Sequence, residues 1–187
     1  MFIETEATPN PETLKFLPGR TVLEVGTANF TDPDGTEASP LAAAMFAVPE
    51  VSGVFLGYDF VTITKSDDSD WTDVKPQVLA ALMQFFASGA PVLSHEGAAD
   101  TAVAVEEDEA DAEIIEQIKG LLDEKIRPAV AGDGGDIIYR GFKEGVVYLT
   151  MQGACAGCPS STITLKHGIE NLLKYYVPEV VDVRAVE

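Results

Sequence analysis

Two cysteines and two histidines are all the soft metal ligands in this chain of 187 residues. So few thiols exclude a disulfide scaffold, which needs several bridges to hold a small secreted domain together. Cations are scarce as well. Twelve Lys and Arg stand against 31 Asp and Glu, for a formal net charge of −19. A field of that sign repels phosphate backbones, so no nucleic acid is expected as partner. No apolar run approaches the roughly 20 residues that cross a bilayer, and no membrane is expected either. The opening "MFIETEATPNP" has neither the basic stretch nor the apolar core of a secretory signal, and Glu4 and Glu6 do not suit an Arg-rich transit peptide. The expected address is a bacterial-type cytoplasm.

What is present begins with length. Domains run to roughly 100–150 residues, so the chain has room for two small ones. Its acidity is uneven: residues 1–97 carry 14 acidic and 4 basic side chains, 98–112 carry six and none, and 113–187 carry eleven and eight. Such a surface keeps a protein soluble and can steer a basic partner toward it. Periodic apolar residues give way to Ala, Gly and acids in "SGAPVLSHEGAADTAVAVEEDEA". The expected organisation is therefore an α+β domain over 1–88, a flexible acidic linker over 89–110 and a second α+β domain over 111–187.

In the first domain "VLEVGTANF" and the pair within "VSGVFLGYDFVTITK" read as strands, the pair turning near Gly57. Ser39 before Pro40 is a helix-start signal, which predicts a short helix over 40–47. A longer one is predicted from about Thr72, with Val74, Val78, Leu82 and Phe85 on one face; "WTDVKPQVLAALMQFF" reads as core, although the adjacent Phe85 and Phe86 can leave one ring near the surface for a partner. In the second domain Ile114, Ile118, Leu121, Leu122 and Ile126 predict a helix ending at Pro128. "AVAGDGGDI" then reads as a turn, with Asp133 and Asp136 fixing it. Strands "DIIYRGF" and "GVVYLTM" follow. A helix after Pro159 carries Leu165, Ile169, Leu172, Leu173 and Tyr176, and "VVDVRAV" closes the chain as a strand. The order α-β-β-α-β implies a three-stranded mixed sheet backed by helices.

Both thiols, Cys155 and Cys158, lie in "MQGACAGCPSS", between a strand and a helix that Pro159 begins. A helix N-terminus favours anions and lowers a thiol's pKa, which predicts thiolates able to bind metal or attack disulfides. Gly153, Ala154, Ala156 and Gly157 add almost no bulk, so a small inorganic group can approach the backbone. Two ligands do not complete a site. His95 falls in the linker and His167 on the polar face of its helix. The simplest completion is a pair of chains, each giving Cys155 and Cys158 to one shared site.

"GACAGCPSS" with "RPAVAGDGGD" resembles the C-terminal domain of NifU-like proteins, and "TEATPNPETLKFLPG", "SPLA", "DFVTITK" and "KPQV" resemble the N-terminal domain of the Nfu type. The resemblance implies an iron–sulfur carrier, not an enzyme. Its Cys155 and Cys158 would hold a [4Fe-4S] cluster between two subunits, with [2Fe-2S] equally suited to four thiolates. An upstream assembly scaffold would be the donor and apo iron–sulfur proteins the recipients, with the loaded form a homodimer. Two rivals stand beside it. A dithiol–disulfide oxidoreductase would use the same CxxC, although the Pro between the cysteines and the Trp before them that mark thioredoxin-like sites are missing. A zinc-bridged dimer would use the same four thiolates.

Overall fold

A computed structural model of the chain describes residues 1–94, 106–156 and 159–186, with side chains at 159–161 excepted. His95, Gly157, Cys158 and half of the expected linker, residues 95–105, lie outside the described residues. The chain divides into two compact units, Met1–Ala99 and Asp100–Glu187. No helix among the described residues is long and apolar enough to cross a membrane.

The first unit contains strands β1 (Glu4–Ala7), β2 (Thr13–Leu17) and β3 (Ala28–Phe30), helix α1 (Pro40–Phe46), strands β4 (Val51–Leu56) and β5 (Val61–Lys65), and helix α2 (Trp71–Ser88). The strands form one antiparallel sheet in the order β1-β2-β5-β4-β3. Phe16, Val54, Leu56, Val61 and Ile63 from the sheet share a core with Leu41 and Met45 of α1 and Val74, Val78 and Leu82 of α2. The caps follow the sequence signals. Ser39 accepts a hydrogen bond from the Ala42 N–H at 3.1 Å and donates its own hydroxyl to the Val92 carbonyl at 2.7 Å, tying the start of α1 to the segment beyond α2. Asp70 accepts from the Thr72 N–H at 2.7 Å and starts α2 one residue earlier than expected; hydrogen bonding with the Thr72 side chain, and then with its backbone, holds the Asp70 carboxyl below the usual range.

Two expectations for this unit need correction, and the structure adds one hairpin to them. The first strand is three residues long, because Val22 and Leu23 send their N–H groups to the Tyr58 carbonyl and Gly26 turns the chain with φ 75°. The hairpin of β1 and β2 was not anticipated; "ETEA" is short, acidic and mostly exposed, as suits a sheet edge. Phe85 and Phe86 are both buried, meeting edge to face at 5.6 Å, so neither leaves a ring for a partner.

The second unit contains α3 (Ala112–Leu121), a π-helical stretch (Leu122–Ile126), α4 (Arg127–Gly132), strands β6 (Gly135–Lys143) and β7 (Val146–Gly153), helix α5 (Pro159–Tyr176) and β8 (Asp182–Ala185). β6 pairs antiparallel and β8 parallel with the central β7. The α+β class and the three-stranded mixed sheet are as expected. Pro128, however, does not end the first helix. The Arg127 N–H bonds to the Leu122 carbonyl five residues back, and this wide turn admits the proline ring that a regular α-turn would exclude. The helical run thus reaches Gly132, adding Val130 to a buried face of Ile115, Ile118, Leu122 and Ile126. Tyr176 leaves the apolar stripe and lies exposed, against Tyr175 and beneath Lys125.

Candidate functional site

The site grows from the end of β7. Gly153 has a left-handed backbone with φ 66°, and the Ala156 N–H closes a turn onto the Gly153 carbonyl at 3.1 Å. A second left-handed glycine, Gly134 with φ 83°, ends the α4 connection and offers its carbonyl to the Ala154 N–H at 3.2 Å. The two turns are thereby stapled together. Gly135 faces Gly153 across the ladder, and a Cβ there would meet the Gln152 carbonyl at 2.6 Å and the Cys155 Sγ at 2.7 Å. Cys155 therefore fills the space that a side chain at 135 would take. On the far side Thr162 of α5 donates its hydroxyl to the Cys155 carbonyl at 2.9 Å, fixing the start of the helix against the thiol turn.

Asp136 follows directly, opposite Gln152 and 3% exposed. Its two oxygens take the Arg127 guanidinium as a fork, Nε to Oδ1 at 2.9 Å and Nη2 to Oδ2 at 2.8 Å. The hydrogen bonds to Asp136, reinforced by Asp123, raise the Arg127 pKa despite partial burial. Asp136 thus fixes α4 to β6, where the sequence had suggested only a turn residue. Nothing in periodicity marked Arg127 as its partner; the sole hint was that both fall within "RPAVAGDGGD".

Cys155 is 6% exposed and belongs to the hydrophobic core of its unit. Burial, and then the nearby carboxylates of Asp133 and Asp136, push its thiol up to about 12. This reverses the lowering expected from the helix N-terminus, because burial penalises the thiolate and the neighbouring carboxylates add to that penalty. Cys158, its intended companion, lies outside the described residues. His167 is exposed on α5, as its helical phase indicated. Among the described residues no three His, Cys, Asp or Glu side chains come together to hold a metal ion. A soft thiol donor set in low-bulk backbone suits an iron–sulfur group, and the chain's own described residues leave the ligand set open to others.

In the metal-free chain, alkylation reads this burial directly. At pH 8 a thiol near 12 is ionised roughly a thousandfold less than an ordinary cysteine. Iodoacetamide is expected to modify Cys155 at least about a hundredfold more slowly than free cysteine. The sign for stability follows: the folded pKa lies above the unfolded one, so the contribution is whole below about pH 8.5 and is lost as pH rises toward 12. Peptide mapping by mass spectrometry separates Cys155 from Cys158; modification of Cys155 at the free-thiol rate would contradict its burial.

Fold and turn define a two-unit α+β protein bearing a thiol turn at a strand-to-helix junction. Residues 3–89 match the family described as "Scaffold protein Nfu/NifU N terminal", and residues 118–184 match "NifU-like domain". The chain belongs to the Nfu/NifU scaffold family. It is 49% identical over its whole length to the human "NFU1 iron-sulfur cluster scaffold homolog, mitochondrial", covering 72% of that protein. It is 52% identical over 96% of its length to the Arabidopsis thaliana "NifU-like protein 4, mitochondrial", covering 64% of it. The chain thus spans about two thirds of the length of these relatives. A solution structure of a NifU-like protein from Saccharomyces cerevisiae is similar at 30% identity, with a TM-score of 0.46 over 51% of this chain and 87% of that one.

Proposed function

We propose that the chain is an iron–sulfur cluster carrier. It holds a [4Fe-4S] cluster through Cys155 and Cys158 of each of two copies and passes it to apo-proteins, having received it from an upstream scaffold. The observation that carries this reading is the Cys155 turn: a thiol packed against Gly135, in a backbone of small residues at a strand-to-helix junction. The relatives named as iron–sulfur cluster scaffolds support it. Loading exchanges the Cys155 proton for iron, and release returns it as a recipient thiolate takes the cysteine's place on the metal. The chain performs no turnover chemistry of its own.

The same burial weighs against a dithiol oxidoreductase, which needs an accessible thiolate at neutral pH. Zinc would use the same sulfurs and differs only in what is bound. Two relatives are named as mitochondrial, whereas the amino-terminal composition suggested a bacterial cytoplasm; carriage itself requires only a reducing compartment.

Anaerobic reconstitution with ferrous iron and sulfide tests the proposal. The expected product is a brown dimer with about four irons and four sulfides per two chains. Half that content at the same mass would assign [2Fe-2S]. A colourless monomer that readily forms a Cys155–Cys158 disulfide would move the assignment to redox chemistry.

A further inference from the structure

The register of the five-stranded sheet brings three exposed apolar side chains to one end of the first unit. Glu4 of β1 lies opposite Leu17 of β2, Phe16 opposite Val61 of β5, and Leu56 of β4 opposite Val61. The start of β1, the end of β2 and the β4–β5 turn therefore share an end. Phe2 precedes β1 there, Val25 lies in the loop after β2, and Tyr58 occupies the turn. The Val22 and Leu23 N–H groups both donate to the Tyr58 carbonyl, at 2.7 and 3.2 Å, fastening that loop to the turn. Phe2, Val25 and Tyr58 are 79%, 90% and 60% exposed, while Ile3, Leu23 and Phe60 beside them are buried. The core is complete without the outward three, and grouped exposed apolar residues mark interaction surfaces.

Their surroundings select the partner's charge. Glu24 and Asp59 adjoin Val25 and Tyr58 in sequence, Glu4 lies two residues from Phe2, and all three acids are exposed. Of the side-chain cations near this end, Arg20 lies over the Phe86 ring at 5.2 Å and Lys15 over the Phe60 ring at 4.9 Å. Across residues 1–94 thirteen acidic side chains face four basic ones. Two of those four, Lys15 and Lys65, are paired with Glu6 and Glu12.

We propose that this end of the amino-terminal unit docks a cationic amphipathic segment of a partner protein. The segment's apolar stripe covers Phe2, Val25 and Tyr58, and its flanking Lys or Arg meet Glu4, Glu24 and Asp59. The other occupants fit less well. A second copy would set like charges against each other across a two-fold axis. The chain's own residues 98–112 carry six acids and no base, and repel the same surface. Acidic lipid does so as well. The surface belongs to the first unit and the thiol turn to the second, and the proposal stands whether or not the chain carries a cluster.

The full metal-free chain, isotope-labelled for NMR, is titrated with a synthetic helical peptide of about 15 residues, Leu at i, i+3, i+4 and i+7 and Lys elsewhere. A scrambled peptide of the same composition serves as control. Shift changes are expected to gather at residues 2–4, 20–25 and 57–60. The triple variant Phe2→Ser, Val25→Ser, Tyr58→Ser, which touches only exposed side chains, is expected to bind about tenfold more weakly with its spectrum otherwise intact, and scrambling the peptide to weaken binding similarly. Shift changes spread over acidic residues throughout the chain, or undiminished binding by the triple variant, would overturn the proposal. Concentration-dependent dimerisation that the triple variant abolishes would assign the surface to a second copy and overturn it likewise.

Discussion

Cys155→Ser is expected to lose both the cluster and part of the fold, while Cys158→Ser loses the cluster. Cys155 belongs to the same buried core as Ile137, Met151 and Ile169 and is almost entirely removed from water. A hydroxyl in its place buries a polar group where sulfur served as a small hydrophobe, at a cost of about 1–3 kcal/mol. Cys155→Ala removes the same ligand without adding a polar group, and should be the more stable of the two. Either change leaves two thiolates per dimer where a cluster needs four, so less than about a tenth of the iron should remain. Iron and sulfide content after anaerobic reconstitution gives the first effect, and urea unfolding of the metal-free chain gives the second. A full iron complement in Cys158→Ser would remove that residue from the ligand set. Equal stability of Cys155→Ser and the unmodified chain would contradict the core position of the thiol.

That double role was only half legible in the sequence. The spacing of Cys155 and Cys158, the low-bulk residues around them and the strand before them were open to reading, because they are local. The direction in which Cys155 points was not, since it depends on Gly135, twenty positions earlier, leaving the space for its sulfur. Helix dipoles can be inferred from a chain, but burial arises from packing, and here packing decides the thiol's proton affinity. The same division explains the helices. Ser39 with Pro40, and the stripe of Val74, Val78 and Leu82, are nearest-neighbour signals and gave helices where they were expected. Pro128 is also a local signal, yet the π-turn that admits it is held by the buried face from Ile115 to Val130, so tertiary packing overrode it. Asp136 was legible as a turn residue only because its partner across the turn carries no pattern.

Arg127→Leu is accordingly expected to destabilise the second unit through a contact that no sequence rule displays. Breaking a buried ion pair costs about 3–5 kcal/mol when one charge is left behind, because the remaining group is desolvated without compensation. The Asp136 side chain is buried whereas Arg127 remains partly in water and also holds Asp123, so the expected loss is nearer 2–3 kcal/mol. Arg127→Lys keeps the charge but not the fork that meets both carboxylate oxygens, and should fall between. The double variant Arg127→Leu, Asp136→Asn removes the stranded charge as well, and should be more stable than Arg127→Leu alone. The effect should extend to the site. Asp136 adjoins Gly135, which bounds the Cys155 sulfur, so loosening the start of β6 should speed Cys155 alkylation in the metal-free chain even under conditions where the variant remains folded. Urea unfolding of these three variants, of Asp136→Asn alone and of the unmodified chain closes the double-mutant cycle, and alkylation mapping reads the second effect separately. Strictly additive losses would show that Arg127 and Asp136 act independently, and unchanged alkylation would confine the pair to anchoring α4, with no hold on the thiol turn.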